Sequence, residues 1–112
     1  MKINHLNLTV TDVRAVELFL VKYVDLQTQG GDDRMAMLFN DNGLVVTLSK
    51  GGQKIKHPGS FHIGFIQESE EHVNAINQRM REDGLDVEPP VRYHAWTFYA
   101  QAPGRFMVEV LA

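Results

Sequence analysis

Leu6, Leu8 and Val10 share one parity with Asn4, while Ile3, His5, Asn7 and Thr9 share the other. This alternation predicts a strand over residues 2–10 with one apolar and one mainly polar face. The period then changes. Val13, Val16, Leu20, Tyr23 and Val24 fall three and four apart, the spacing of one helix face, and Thr11 or Asp12 can cap its start. Short strand patterns follow near 25–29, 34–39 and 44–49. The last two are joined by Asn40-Asp41-Asn42-Gly43, residues that tolerate positive φ and so favour a hairpin. A Gly- and Lys-rich loop over about 50–58 ends this half.

The same order then repeats. Residues 60–66 read as a strand containing His62. Ser69 can cap a helix running to about Arg81 with Val73, Ile76 and Met80 on one side, and Asp83-Gly84 ends it. Strands are predicted near 85–88, 91–101 and 106–111, the last two joined through Pro103-Gly104. Each half is therefore β-α-β-β-β, about 1–50 and 58–112, within one domain spanning residues 1–112. The predicted fold class is α+β: two βαβββ modules related by a pseudo-twofold, with helices outside and bent mixed sheets enclosing a cavity. Trp96, Phe98, Phe61, Phe65, Met35 and Met37 read as core or cavity wall.

Composition narrows the function classes. With 112 residues the chain is large enough for a core but small for a cleft enclosed by one copy. A formal net charge of −3 with scattered Lys and Arg gives no basic face for phosphates, so nucleic acid is not an expected partner. No apolar run approaches the ~18 residues of a membrane span, and the N-terminus opens directly into a strand pattern, so a cytoplasmic location is expected. The absence of cysteine leaves any metal site to imidazole and carboxylate.

Candidate chemistry gathers on three residues. His5 and His62 stand near the start of corresponding strands, and Glu109 lies between Val108 and Val110, where a lone carboxylate in an apolar strand needs a partner. Two neutral imidazoles and one carboxylate make a facial set that leaves open positions on a divalent metal.

The opening NHLNLTVTDV, the strand FHIGFI and the ending FYAQAPGRFMVEVLA, in βαβββ order, resemble the vicinal oxygen chelate superfamily. That group includes glyoxalase I, extradiol ring-cleaving dioxygenases, fosfomycin-resistance enzymes and bleomycin-resistance proteins. The resemblance implies that His5, His62 and Glu109 are metal ligands, for Fe, Mn, Ni, Co or Zn. Glyoxalase I enzymes carry a fourth ligand, a glutamate, where LVVTL places Thr47, so standard glyoxalase I chemistry is disfavoured. The segment HAWTFYAQAPGRFMVE resembles the C-terminal signature of the dioxygenases. It implies a substrate-facing Tyr99, with His94 as an acid/base partner despite its opposite parity to Tyr99 on a regular strand. Arg105 occupies a turn position where the family usually has glycine. Asn7, Thr47, Ser49 and Thr97 are the expected substrate-binding positions. The cationic cluster of the fosfomycin enzymes is reduced to Arg92 in GLDVEPPVRYHAW.

The resemblance therefore implies a small metal-dependent enzyme, dioxygenase- or lyase-like, acting on a small substrate that chelates through vicinal oxygens. A metal-free ligand-binding protein of bleomycin-resistance type is the alternative. A homodimer that shares its sites between chains is the expected assembly, since a lone βαβββ pair leaves sheet edges and apolar wall uncovered.

Overall fold

Asp12 rather than Thr11 caps the first helix, its carboxylate accepting from the Ala15 N–H at 3.1 Å. The structure, a computed structural model, describes residues 1–52 and 55–112; Gln53 and Lys54 of the connecting loop lie outside them. Two units carry the described elements, Met1–Lys56 and His57–Ala112.

In the first unit the order is β1 (His5–Val10), α1 (Val13–Val24), β2 (Gln27–Gly31), β3 (Met35–Phe39) and β4 (Val45–Lys50). The sheet order is β1-β4-β3-β2, with β1 parallel to β4 and the remaining pairs antiparallel. Leu8, Val10, Ala36, Leu38, Val46 and Leu48 are buried with Val13, Val16, Leu20 and Tyr23 of α1, so one parity of every long strand meets one stripe of the helix. The opposite parity carries His5, Asn7, Thr47, Ser49, Met35 and Met37. The two methionines lie on this open face, half-exposed, and are not core residues. The Asn40–Gly43 hairpin forms as expected: the Asn40 side chain accepts from the N–H groups of Asn42 and Leu44, and Gly43 takes φ +83.

The second unit repeats the plan with β5 (His62–Ile66), α2 (Glu70–Glu82), β6 (Val91–Arg92), β7 (Trp96–Gln101) and β8 (Met107–Leu111), in sheet order β5-β8-β7-β6. Ser69 caps α2 through the His72 N–H, and Gly84 at φ +86 turns the chain while the Leu85 N–H returns to the Met80 carbonyl. Phe98, Ala100, Val108 and Val110 are buried, as are Val73 and Met80 of α2. Two mixed four-stranded sheets, each with one helix, make this an α+β fold of two βαβββ modules.

Two predicted strands are corrected. Residues 85–88 form no strand; Asn77 Nδ2 donates to the Glu88 carbonyl at 2.8 Å, binding the segment to α2, and Pro89-Pro90 remove the N–H groups a ladder needs. The run 91–101 is not continuous. It bends at 93–95, where the Tyr93 N–H meets the Ala95 carbonyl at 2.9 Å, so parity does not carry across the bend. Arg105, in the place of a usual glycine, adopts φ 65 and closes the last hairpin through its N–H to Ala102 O.

Candidate functional site

Alternation along β8 sends Val108 and Val110 into the core and Glu109 to the opposite face. Glu109 is nevertheless only 4% exposed. Its cross-strand neighbours are Gly64 on β5 and Tyr99 on β7. A Cβ at position 64 would stand 3.8 Å from Glu109 Oε1, so glycine leaves that oxygen uncovered. His62, two residues earlier on the same face, brings Nε2 to 3.5 Å from Oε1, and its ring meets the Tyr99 ring edge-on at 5.5 Å. The other oxygen is held from two sides: Thr97 Oγ1 donates to Oε2 at 2.7 Å and His94 Nε2 at 2.6 Å.

Electrostatics follow from these contacts. Burial pushes Glu109 up, but hydrogen bonds from Thr97, His94 and Tyr99, with the charge of His94, outweigh it and hold the carboxyl below the ordinary glutamate range. Burial first, and then the Glu109 charge, raise the Tyr99 phenol. Tyr99 thus keeps its proton at neutral pH and is a donor.

The tautomers are set by local oxygens. His62 Nδ1 donates to the Ser60 carbonyl and His5 Nδ1 to Asn4 Oδ1, each at 3.1 Å, because those oxygens can only accept. In the neutral imidazole this leaves Nε2 with a lone pair, the arrangement of a metal-ligating imidazole oriented by a partner on its other nitrogen. In the second unit, His62 Nε2 faces Glu109 Oε1; with the imidazole neutral the two are acceptors that a cation between them could bridge. Metal bonds of about 2.1 Å at tetrahedral to right angles separate two donors by roughly 3.0–3.4 Å, close to the observed 3.5 Å. The donor pair fits a divalent ion. Among the described residues, no group of three or more His, Asp or Glu side chains is arranged to hold a metal. No buried side-chain polar atom there lacks a partner, so the fit rests on donor orientation.

The sequence-derived residues therefore separate by unit. His62, Glu109, His94, Thr97 and Tyr99 converge in the second. His5, Asn7, Thr47 and Ser49 share the open face of the first, with Ser49 Oγ donating to Asn7 Oδ1 at 3.2 Å. Thr47 pairs with Asn7 and Met37 as Glu109 pairs with Gly64 and Tyr99, so its register matches that of the carboxylate. His94 reaches Glu109 because it sits in the bend at 93–95, where the parity argument does not apply. Gly64, the cross-strand neighbour of Glu109, was missed in the sequence.

A cavity of about 500 Å³ adjoins the cluster, lined by Pro89, Val91, Tyr93, Thr97, Phe98 and Tyr99 with Glu88 at its edge. Thr97 and Tyr99 belong to both. Arg92 is bound to Glu70 of α2 and lies 5.4 Å over the Trp96 ring. No helix among the described residues is long and apolar enough to cross a membrane.

Residues 2–110 match the family model of the Glyoxalase/Bleomycin resistance protein/Dioxygenase superfamily. Among solved structures, a possible glyoxalase from Bacillus cereus shares 49% identity over 100% of this chain and 99% of its own, with a TM-score of 0.93. The lactoylglutathione lyase of Agrobacterium tumefaciens is 18% identical over 98% and 92%, TM-score 0.78. A variant of the fosfomycin resistance protein FosX from Listeria monocytogenes, complexed with Mn(II) and a dihydroxypropylphosphonic acid, is 20% identical over 99% and 91%, TM-score 0.80. At 18–20% identity these two likenesses concern the fold alone. No curated protein matches the chain.

Proposed function

The chain belongs to the Glyoxalase/Bleomycin resistance protein/Dioxygenase superfamily, and from that premise we propose that it is a small metal-dependent enzyme, dioxygenase- or lyase-like. Its substrate is a compact molecule that chelates through vicinal oxygens. The observation that carries the reading is His62 Nε2 facing Glu109 Oε1 at 3.5 Å, with the Ser60 carbonyl bonded to His62 Nδ1 and Thr97 bonded to Glu109 Oε2. His62, Glu109 and a His5 side chain would hold the ion. A divalent metal there supplies Lewis acidity to oxygens bound at its open positions.

The residues of the chain do the rest. The apolar wall of Pro89, Val91 and Phe98 binds the body of the substrate and excludes water. Tyr99 is protonated at neutral pH and directs its one O–H to Glu109; on substrate binding it would redirect that donor to a substrate oxygen at the shared edge of cavity and cluster. Thr47 stands in the register of the missing fourth carboxylate and is no base, which argues against isomerisation of the glyoxalase I kind.

The first unit offers one imidazole and no carboxylate on its open face, and the second offers the complementary pair. We therefore place His5 of one protomer beside His62 and Glu109 of its partner in an isologous dimer with two equivalent sites. A monomer in sedimentation equilibrium at micromolar concentration would refute this assembly. A metal-free sequestering protein is the second reading, and the mainly apolar cavity beside Tyr99 favours it. Elemental analysis of protein purified without added metal separates the two. The enzyme reading expects about one transition-metal ion per chain, and its loss in His62→Ala while the fold persists. Absence of metal, with no tight binding on titration, leaves the sequestering protein.

A further inference from the structure

A glutamate offers a metal two equivalent oxygens, and its terminal torsion is broad and twofold. Left alone, the Glu109 carboxylate could bind through either oxygen or through both. Binding through both would consume a position that a chelating substrate requires. In this structure the two oxygens are not equivalent. Oε2 accepts from Thr97 Oγ1 at 2.7 Å and from His94 Nε2 at 2.6 Å, donors that come from β7 and from the bend preceding it. Oε1 lies toward His62 Nε2 and beside the bare backbone of Gly64.

Thr97 is suited to this task and poorly placed for another. Its side chain is 2% exposed, and its one hydroxyl proton has two acceptors, Glu109 Oε2 at 2.7 Å and the Val110 carbonyl at 3.3 Å. The nearer acceptor carries the negative charge and takes the stronger bond. The Thr97 methyl and backbone are fixed by pairing with Leu111 on one side and Val91 on the other. The hydroxyl therefore has a fixed origin, and so does the oxygen it holds. His94 approaches the same atom from outside the sheet, which stops the carboxylate from rotating about its last bond.

We propose that Thr97 and His94 are positioning residues which together clamp Glu109 Oε2, so that the carboxylate presents Oε1 alone to the metal and an open coordination position is kept for substrate. This rests on the reading of Glu109 as a metal ligand. It gives Thr97 a role through Glu109 in place of direct substrate binding, and it makes the hydroxyl, not the volume of the side chain, the essential feature.

The test is titration of metal-free wild type and variants with Mn(II) alone, read by calorimetry, with Co(II) absorption as a second readout of coordination. Thr97→Val keeps the shape and removes the donor; Thr97→Ser keeps the donor and removes a methyl. Loss of an outer donor typically weakens metal binding about 10–100-fold. Thr97→Val is expected to lose affinity on that scale and to alter the Co(II) spectrum, while Thr97→Ser stays within about threefold of wild type. His94 lies in an exposed bend, so its truncation spares the core. His94→Ala is expected to weaken Mn(II) binding about tenfold and His94→Gln, which restores an N–H donor, to recover most of it. Should wild type bind Mn(II) while Thr97→Val or His94→Ala binds it equally well with an unchanged Co(II) spectrum, the clamp is overturned and the ligand reading stands. Failure of wild type itself to bind Mn(II) or Co(II) overturns both.

Discussion

Glu17 is a charged residue on the buried face of α1, 6% exposed, and replacing Thr28 by Val tests what keeps it there. Thr28 Oγ1 donates to Glu17 Oε2 at 2.5 Å, and Arg14 Nη1 donates to Oε1 at 2.7 Å. Valine preserves the β-branched shape and strand preference of threonine while deleting the donor to one carboxylate oxygen. A hydrogen bond to a charged group contributes about 1.5–3 kcal/mol. The same hydroxyl also accepts from the Gly30 N–H, but that group is exposed and water replaces the bond. The expected loss at neutral pH is therefore about 2 kcal/mol, or a fall in Tm of about 8 °C for a domain of this size. The pH dependence carries the sharper test. The Thr28 hydrogen bond is the largest cause holding Glu17 below its ordinary value of 4.5, against an opposing burial cost. A carboxyl with a lowered folded value contributes stability that is full above the unfolded value, near 4.5, and is lost as pH falls through the folded one. Thr28→Val forfeits that contribution, so its penalty is greatest above pH 4.5 and shrinks below it. Urea denaturation of wild type and variant at pH 7 and at the lowest pH where both fold provides the comparison. An equal penalty at both pH values, or one under about 0.5 kcal/mol at pH 7, refutes the account.

Two further substitutions test other parts of the molecule. Gly31 holds φ +155, and a Cβ there would stand 2.2 Å from the Met35 carbonyl oxygen, so Gly31→Ala must displace backbone; a loss of about 3 kcal/mol in urea denaturation is expected, and an unchanged midpoint would be inconsistent with it. Thr47→Glu places a carboxylate in the register occupied by Glu109 in the other unit; with the metal site shared as proposed, it should tighten Mn(II) binding and weaken binding of a small catecholate chelator, whereas Thr47→Ala leaves both near wild type.

The parts of the fold legible in the sequence were those where one local rule decided the outcome. Alternation in residues 5–10 and 107–111, the three-and-four spacing of α1 and α2, Ser69 as a cap and the Asn40–Gly43 turn all appear in the structure near the positions read. Misreadings came where a tertiary contact outweighed the pattern. β2 was expected from 25 but begins at Gln27, because Asp25 takes the left-handed helix cap and the Leu26 N–H returns to Leu20 O. Residues 85–88 alternate like a strand but are tied to Asn77 eleven residues away in sequence from Glu88. At the site, His62, Glu109 and Tyr99 could be read because regular strands fix the direction of their side chains. His94 could be named only through the resemblance and against its strand parity, since a three-residue bend aims it at Glu109 and bends leave no periodic trace. Glu17 carried a visible signal, a charge on an apolar helix stripe, but its partner Thr28 lies on the next strand and only the fold joins them.

The duplication places residues of different chemistry in the same frame. Position by position, the open face of the first sheet sets Asn7, Thr47 and Met37 side by side where the second sets Gly64, Glu109 and Tyr99. At the central position a neutral hydroxyl stands in one frame and a buried carboxylate in the other. A glycine lies beside that carboxylate, and the tyrosine supplies a proton donor. The first frame has an amide at the glycine position, its oxygen bonded to Ser49, and a thioether at the tyrosine position. It keeps only the histidine at the strand start, oriented in each unit by an Nδ1 hydrogen bond to a neighbouring oxygen. The buried carboxylate, the proton donor and the cavity of about 500 Å³ all lie in the second unit, and in the proposed dimer the first would contribute an imidazole. In the proposed site, electrostatic stabilisation of a bound cation would depend on Glu109, and His5 would complete the ligand set without changing its charge. On the proposed ligand set, loss of Glu109 removes both a bond and the anionic ligand, so Glu109→Gln is expected to cost more Mn(II) affinity, read by titration, than His5→Ala or His62→Ala.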